Sequence, residues 1–323
     1  MNSRHVSRSF APRLAAALLP ALTLTLLTAG AAGAALNPQR VIYQKDSLYH
    51  RIFVFQDGDI VTLRFGRRDG PLTQSQISLS EPSRHLLEYS QLMFCGLLHC
   101  PAPRRALILG LGGGMIPREM RRYFPEAEID VAEIDPEVAE VARRFFDFKT
   151  DARLNVHVSD GRMFIRRQLR RQPAPKYDIV LLDAFNSDYI PFHLMTKEFL
   201  EEVRGVLADD GVVVANVFYT NALFDAELAT FLAVFGRTQA YYGATSVNAM
   251  LVAPGPRGQV LKPDEAAAIA RALQEKHRFS FDLEAVARRL RPDVRPAPGT
   301  KILTDDRAPV NWLKEQKSNL PAP

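Results

Sequence analysis

Four stretches of the chain carry residue types and spacings suited to seating a nucleoside. ALILGLGGGMIPREM, from Ala106 to Met120, runs an apolar stretch into a glycine-rich turn and then into a helical pattern. Glycines let backbone approach a ligand closely, and the free N–H groups at a helix start favour negative or polar groups. Glu133, in Glu133-Ile134-Asp135, follows about twenty residues on, where an acidic side chain accepts both ribose hydroxyls. Asp160, in Ser159-Asp160-Gly161, ends the next apolar run, where an adenine amino group would lie, and Asp183 ends the one after it. A glycine turn alone also serves tight strand–helix packing. Three carboxylates at successive strand ends ask for more than solvation.

These residues need a scaffold that points strand ends one way. RALILG, EIDVAEI, LNVHVS, YDIVLLD and GVVVANVF are apolar runs separated by helical stretches at 115–124, 136–147, 161–171 and 196–208. Continuous apolar strands with crossover helices predict a parallel sheet covered on both faces. A helix at 222–235 precedes TQAYYGA and SVNAMLVA, which suit an antiparallel edge on that sheet. Upstream, RVIYQ, RIFVF, DIVTLRF and SQISL form a small β region, with Asp57-Gly58 as a hairpin signal. A helix is expected from Glu81 to His99, opened by Pro82 and Ser83. Further helices are expected at 263–276 and near 282–290, with Pro292 to Pro298 as a loop. The organisation is then 1–34 leader, 35–80 β-strand region, 81–260 catalytic domain and 261–323 helical extension and tail.

The chain has 323 residues, 47% of them hydrophobic and 24% charged, which fits a globular protein with a sizeable core. The formal charge is +5, and Arg4, Arg8 and Arg13 of the acid-free leader account for more than half of it. No basic run with interleaved aromatics follows, so no nucleic-acid partner is expected. Those arginines precede the apolar run Leu14 to Leu27 and the small-residue tract AGAAGAAL. Ala32-Gly33-Ala34 fits the small-x-small rule for signal-peptide cleavage. The other reading is an uncleaved anchor, since Leu14 to Leu36 carry no charge. Either one places the rest outside the cytoplasm, in the periplasm if the peptide is cleaved, and confines membrane contact to residues 14–36. The cysteines, Cys95 and Cys100, are five apart on an expected helix, roughly 8 Å between Cα atoms and too far for a bridge. Together with His99 they lack a second group of metal ligands, so both read as buried apolar-face residues, and no metal is expected.

GLGGGMIPREM, VAEIDPEVAEVARRFF, VSDGRMFI, YDIVLLDAFNSDYIP, LADDGVVVANV and LTDDRAPV together resemble the spermidine synthase (polyamine aminopropyltransferase) family. The resemblance covers roughly residues 40 to 253. It implies a Rossmann-like, methyltransferase-type α/β fold with a mostly parallel sheet and a small β region in front that helps close the site and assemble homodimers. It implies no tightly bound cofactor, decarboxylated S-adenosylmethionine or S-adenosylmethionine as cosubstrate, and a small-molecule amine as partner. Gly110, Gly112 and Gly114 would shape the turn, Glu133 would hold the ribose, Asp160 and Gly161 would face the adenine, and Asp183 would sit beside the sulfonium arm. Tyr43 or Tyr49, Gln76 and Tyr89 would line the donor and amine sites.

The chemistry implied is attack by a primary amine on the carbon next to a sulfonium. The amine is protonated at neutral pH, so a carboxylate must take its proton. Three family charges on that side are absent. Gly113 stands where the family has an aspartate, Asn186 where it has the base, and Tyr89-Ser90-Gln91 where it has Tyr-His-Glu. Asn186 remains a substrate-binding candidate. Asp188 either substitutes as the base beside Asp183 or serves as an Asx-type turn residue before Pro191. Asp305 and Asp306 either reach the cleft or cap a terminal helix. The function expected is aminopropyl transfer to putrescine or a similar amine. The alternatives are methyl transfer from intact S-adenosylmethionine, which needs no anchor at position 113, and a non-catalytic member. An NAD oxidoreductase is disfavoured because the turn lacks the spaced G-x-G-x-x-G.

Overall fold

The protein is described from a computed structural model covering residues 39–68, 73–184 and 191–318. The leader and the Asn186 and Asp188 positions lie outside these described residues.

The β region forms as expected. β1 (Arg40–Asp46), β2 (Arg51–Asp57), β3 (Ile60–Phe65) and β4 (Thr73–Ser78) make an antiparallel sheet in the order β1-β2-β3-β4. The β2–β3 hairpin closes with Asp57 opposite Ile60, around Gly58. Alternation decides the face that packs: Ile52, Val54, Leu63 and Ile77 are buried against Val138, Val141 and Phe146.

The last three belong to or follow α4 (Pro136–Phe145), which begins with Pro136 in its first turn and Asp135 as cap, its carboxylate accepting the Glu137 N–H at 2.9 Å. Ala139 and Ala142, one step round this helix, face the main core. One helix with two apolar stripes therefore ties the small sheet to the large one. Tyr43 and Lys45 of β1 reinforce the joint through Glu137.

The main sheet comprises β5 (Arg105–Leu109), β6 (Glu128–Glu133), β7 (Leu154–Val158), β8 (Tyr177–Leu182), β9 (Leu207–Phe218), β10 (Gln239–Tyr242), β11 (Asn248–Pro254) and β12 (Leu290–Arg291), in the order β12-β10-β11-β9-β8-β5-β6-β7. From β9 to β7 all pairs are parallel, and β11, β10 and β12 add antiparallel. The expected antiparallel edge is present, with β12 beyond it, too short to show a sequence period. In β5, Ala106 and Ile108 join one core and Leu107 and Leu109 the other; Ile179 and Leu181 against Val180 and Leu182 do the same in β8. Both faces are buried, so these strands read as unbroken apolar runs.

On the first face lie α3 (Met115–Tyr123), α8 (Pro263–His277) and α9 (Leu283–Ala287). On the second lie α5 (Gly161–Leu169), α6 (Lys197–Val206), α7 (Ala222–Phe235) and, through Val310, α10 (Val310–Glu315). The C-terminal elements are thus built into the same two cores.

The helix expected from Glu81 starts later. Only 88–99 is helical, as α1 (Glu88–Leu92), a 3-10 turn at Met93–Cys95 and α2 (Gly96–His99). Upstream, carbonyls that would continue the helix are held by side chains: Arg118 donates to Pro82 and Ser280 to Ser83 at 2.7 Å, both distant in sequence, and Gln91 of α1 to His85 at 3.4 Å. Cys95 is buried as expected and Cys100 lies just past the helix end, both as free thiols. Asp305 neither reaches the cleft nor caps a helix. It accepts from Arg162 at 2.7 Å and from Thr196 at 2.7 Å, while Pro309 precedes α10.

Arg162 ties α5 to α6 through Glu202 at 2.9 Å and to the C-terminal segment through Asp305. It is buried, and its removal leaves Asp305 without its ion-pair partner while Glu202 keeps Arg166 at 2.8 Å. Arg162→Ala is expected to cost about 3 kcal/mol in denaturant unfolding. Arg162 holds the Asp305 carboxyl below its ordinary range, and for Glu202 its hydrogen bonds and those of Arg166 outweigh burial in the same direction. Stability from this cluster is present above the ordinary carboxylate range and is lost as pH falls through the depressed values. Arg162→Ala should flatten that acid limb.

Candidate active site

A cavity of about 370 Å³ opens where the parallel strands end, beside the small sheet. Its floor is the turn after β5. Gly110 takes φ +97°, and a Cβ there would stand 2.4 Å from the Asp183 carbonyl, so only glycine lets β5 and β8 end this close together. Gly110 and Gly112 line the cavity, whereas Gly114 serves packing, with the Phe148 ring 2.5 Å from where its Cβ would be.

Glu133, at the end of β6, is buried and accepts the Leu111 N–H at 2.9 Å on one oxygen and the Asp135 N–H at 2.9 Å on the other. The turn and the β6 end thus hold the carboxylate in place, with further lone pairs for two ligand hydroxyls. Burial pushes its carboxyl up to about 7, against the pull of those N–H groups. Asp160 caps α5, accepting the Met163 N–H at 2.8 Å, and its other oxygen meets His193 Nε2 at 2.9 Å. Burial raises this carboxyl, but the His193 and Met163 bonds outweigh it and hold it below its ordinary value. Gly161 lines the cavity beside it.

Asp183 follows β8 and lines the cavity half-buried, and burial pushes its carboxyl up to about 7 despite a 2.8 Å hydrogen bond from Asn216. Tyr89 reaches the same region from α1, its hydroxyl donating to the Gln74 carbonyl at 2.9 Å. Burial, and next the charge of Asp183, raise its phenol far above the ordinary value.

Gly110, Gly112, Glu133, Asp160, Gly161, Asp183, Tyr89 and Tyr49 line one cavity. Tyr43 is turned away onto Glu137. Gln76 does not line the cavity: it sits opposite Thr62 and donates to it at 3.1 Å, and Gln74, nearer the strand start, lines it instead. Gln74, His193, Asn216 and Asn248 went unread in the sequence. The two asparagines did carry a signal, Asn216 as an amide inside the apolar run 212–218 and Asn248 as one heading the apolar run of β11.

Gly113 is closed to any side chain. Its N–H donates to Ser75 Oγ at 2.8 Å, and a Cβ would lie 2.7 Å from Phe146 Cδ1 and 2.9 Å from Ser75 Cβ. Gly113→Asp is therefore expected to lose about 2 kcal/mol by overpacking, read as a lowered thermal midpoint, with no gain in affinity for a cationic donor tail.

Fold and site define an α/β protein of the methyltransferase-like class, with its ligand cavity at the carboxyl ends of the parallel strands. The chain belongs to the spermine/spermidine synthase family of transferases. The model described as "Spermine/spermidine synthase domain" matches residues 86–249. A polyamine aminopropyltransferase of Vibrio vulnificus (strain CMCP6) is 37% identical over 304 residues, covering 92% of this chain and 98% of that one. The structure of human methyltransferase-like protein 13 in complex with SAH matches with a TM-score of 0.55 and 29% identity, over 59% of this chain and 93% of that one. A probable spermidine synthase from Corynebacterium glutamicum ATCC 13032 shares the fold, with a TM-score of 0.62 and 20% identity over 88% of this chain and 100% of its own.

Proposed function

We propose that the protein transfers the aminopropyl group of decarboxylated S-adenosylmethionine to a small polyamine such as putrescine. The observation that carries this reading is the convergence of Glu133, Asp160 and Asp183 on one cavity. Glu133 holds the ribose hydroxyls, Asp160 faces the adenine amino group, and Asp183 lies beside the sulfonium arm and the attacking amine. The near-full-length likeness to a protein named polyamine aminopropyltransferase supports it.

A second reading, methyl transfer from intact S-adenosylmethionine, is favoured by Gly113. With no carboxylate at that position, nothing in the turn repels the methionine carboxylate of the intact donor. The likeness to human methyltransferase-like protein 13 points the same way. Calorimetric titration with decarboxylated S-adenosylmethionine, S-adenosylmethionine and methylthioadenosine separates the readings. Tighter binding of the decarboxylated donor is expected, the reverse order supports methyl transfer, and no binding by any of the three removes both. Export through the leader and a homodimer belong to the same proposal, checked by the mass and compartment of the mature chain and by light scattering.

A further inference from the structure

Two asparagines from different strands form a hydrogen-bonded series ending on Asp183. Asn216 of β9 and Asn248 of β11 are 2% and 9% exposed, and both line the cavity. Asn216 Nδ2 donates to Asp183 Oδ1 at 2.8 Å, and Asn248 Nδ2 donates to Asn216 Oδ1 at 2.8 Å. An ionised carboxylate only accepts, so Asn216 must turn its amide nitrogen toward Asp183. Its carbonyl then needs a donor, and Asn248 supplies it. Each bond thus sets the sense of the next. Among the described residues no donor engages Asp183 Oδ2, which is left for the substrate.

We infer that Asn216 and Asn248 are positioning residues that keep Asp183 oriented and ionised as the proton acceptor of the transfer. This rests on the aminopropyl-transfer reading. In the step, the acceptor ammonium gives a proton to Asp183 Oδ2, and the freed nitrogen lone pair attacks the propyl carbon next to sulfur. The carbon–sulfur bond breaks with its electron pair going to sulfur, which leaves neutral methylthioadenosine and a protonated secondary amine. The proton on Asp183 passes to solvent.

The series also gives the antiparallel edge a role in the site, since β11 reaches Asp183 only through β9. Burial opposes ionisation of Asp183, and the other acids on the cavity wall are Glu133 of β6 and Asp160 at the start of α5. Tyr49, Tyr89, His193 and His50 are the other titratable groups on the cavity wall. Asn216 is the described donor that works against that burial.

The test is the titration of Asp183, followed by carboxyl infrared bands or carbon-13-labelled aspartate and assigned with Asp183→Asn, alongside the pH profile of kcat. Asn216→Leu should raise the Asp183 titration by about one pH unit and lower kcat at neutral pH about fivefold, with the donor KM little changed. Asn248→Leu, whose native amide bonds Asn216 and not Asp183, should shift it the same way by less. Because the two act in series, the double variant should be no worse than Asn216→Leu alone.

Additive effects, or an Asp183 titration unmoved in Asn248→Leu, overturn the inference. Asn248→Leu alone decides it if Asn216→Leu does not fold. The spectroscopic titration needs no turnover, so a failure of the aminopropyl reading shows separately, as wild-type protein that makes no product.

Discussion

Asp183→Asn is expected to lower kcat for aminopropyl transfer about a thousandfold, within the usual contribution of a positioned general base. The substitution keeps shape, and the Asn216 amide can still donate to the new side-chain oxygen. Donor affinity should therefore change little, and the loss should fall on kcat. Burial raises the Asp183 carboxyl from 3.8 to about 7. Only the ionised form takes a proton from the amine, so wild-type kcat should climb as pH rises through about 7, and the variant should lack that limb. The sign for stability is opposite. Between 3.8 and about 7 the folded state keeps a proton that the unfolded chain releases, so stability falls with rising pH across that window. Asp183→Asn should remove this slope as well, measured by urea unfolding at several pH values.

Glu133→Ala is expected to weaken binding of methylthioadenosine and of the donor about a hundredfold, near 3 kcal/mol for two hydrogen bonds to a carboxylate. The effect has two sources. The ribose loses both acceptors, and the Leu111 and Asp135 N–H groups lose the side chain that fixes the turn. Glu133→Gln should fall between the two, because one arm of the amide presents a donor to a backbone N–H. At saturating donor, kcat should change far less than KM. Calorimetric affinities within threefold of wild type would remove Glu133 from the ribose.

Much of this was legible because the key groups sit at element ends. β5 and β8 are apolar from Ala106 to Leu109 and from Ile179 to Leu182, which marks strands buried on both faces, and Glu133, Asp160 and Asp183 each lie at or just past the end of a parallel strand. What escaped depends on partners distant in sequence. Simple alternation would put Gln74 and Gln76 on one face of β4; the pairing skips Gln74 at a register shift and sets Gln76 opposite Thr62, away from the cavity. Asn216 and Asn248 are recognisable as misplaced amides, but their connection exists only once β9 and β11 pair. The late start of α1 follows from Arg118 and Ser280 capturing carbonyls at 82 and 83. The missing charge at Gly113 could be read from the resemblance. Its physical reason, the Phe146 ring and Ser75 filling the space, required the fold.

The central claim is that this cavity joins an adenosyl-sulfonium donor to an amine. The most direct measurement is incubation of the purified protein with decarboxylated S-adenosylmethionine and putrescine, with products quantified by mass spectrometry. Spermidine and methylthioadenosine are expected in equal amounts, abolished by Asp183→Asn. Absence of methylthioadenosine, with S-adenosylhomocysteine formed instead from intact S-adenosylmethionine and a methyl acceptor, would contradict it.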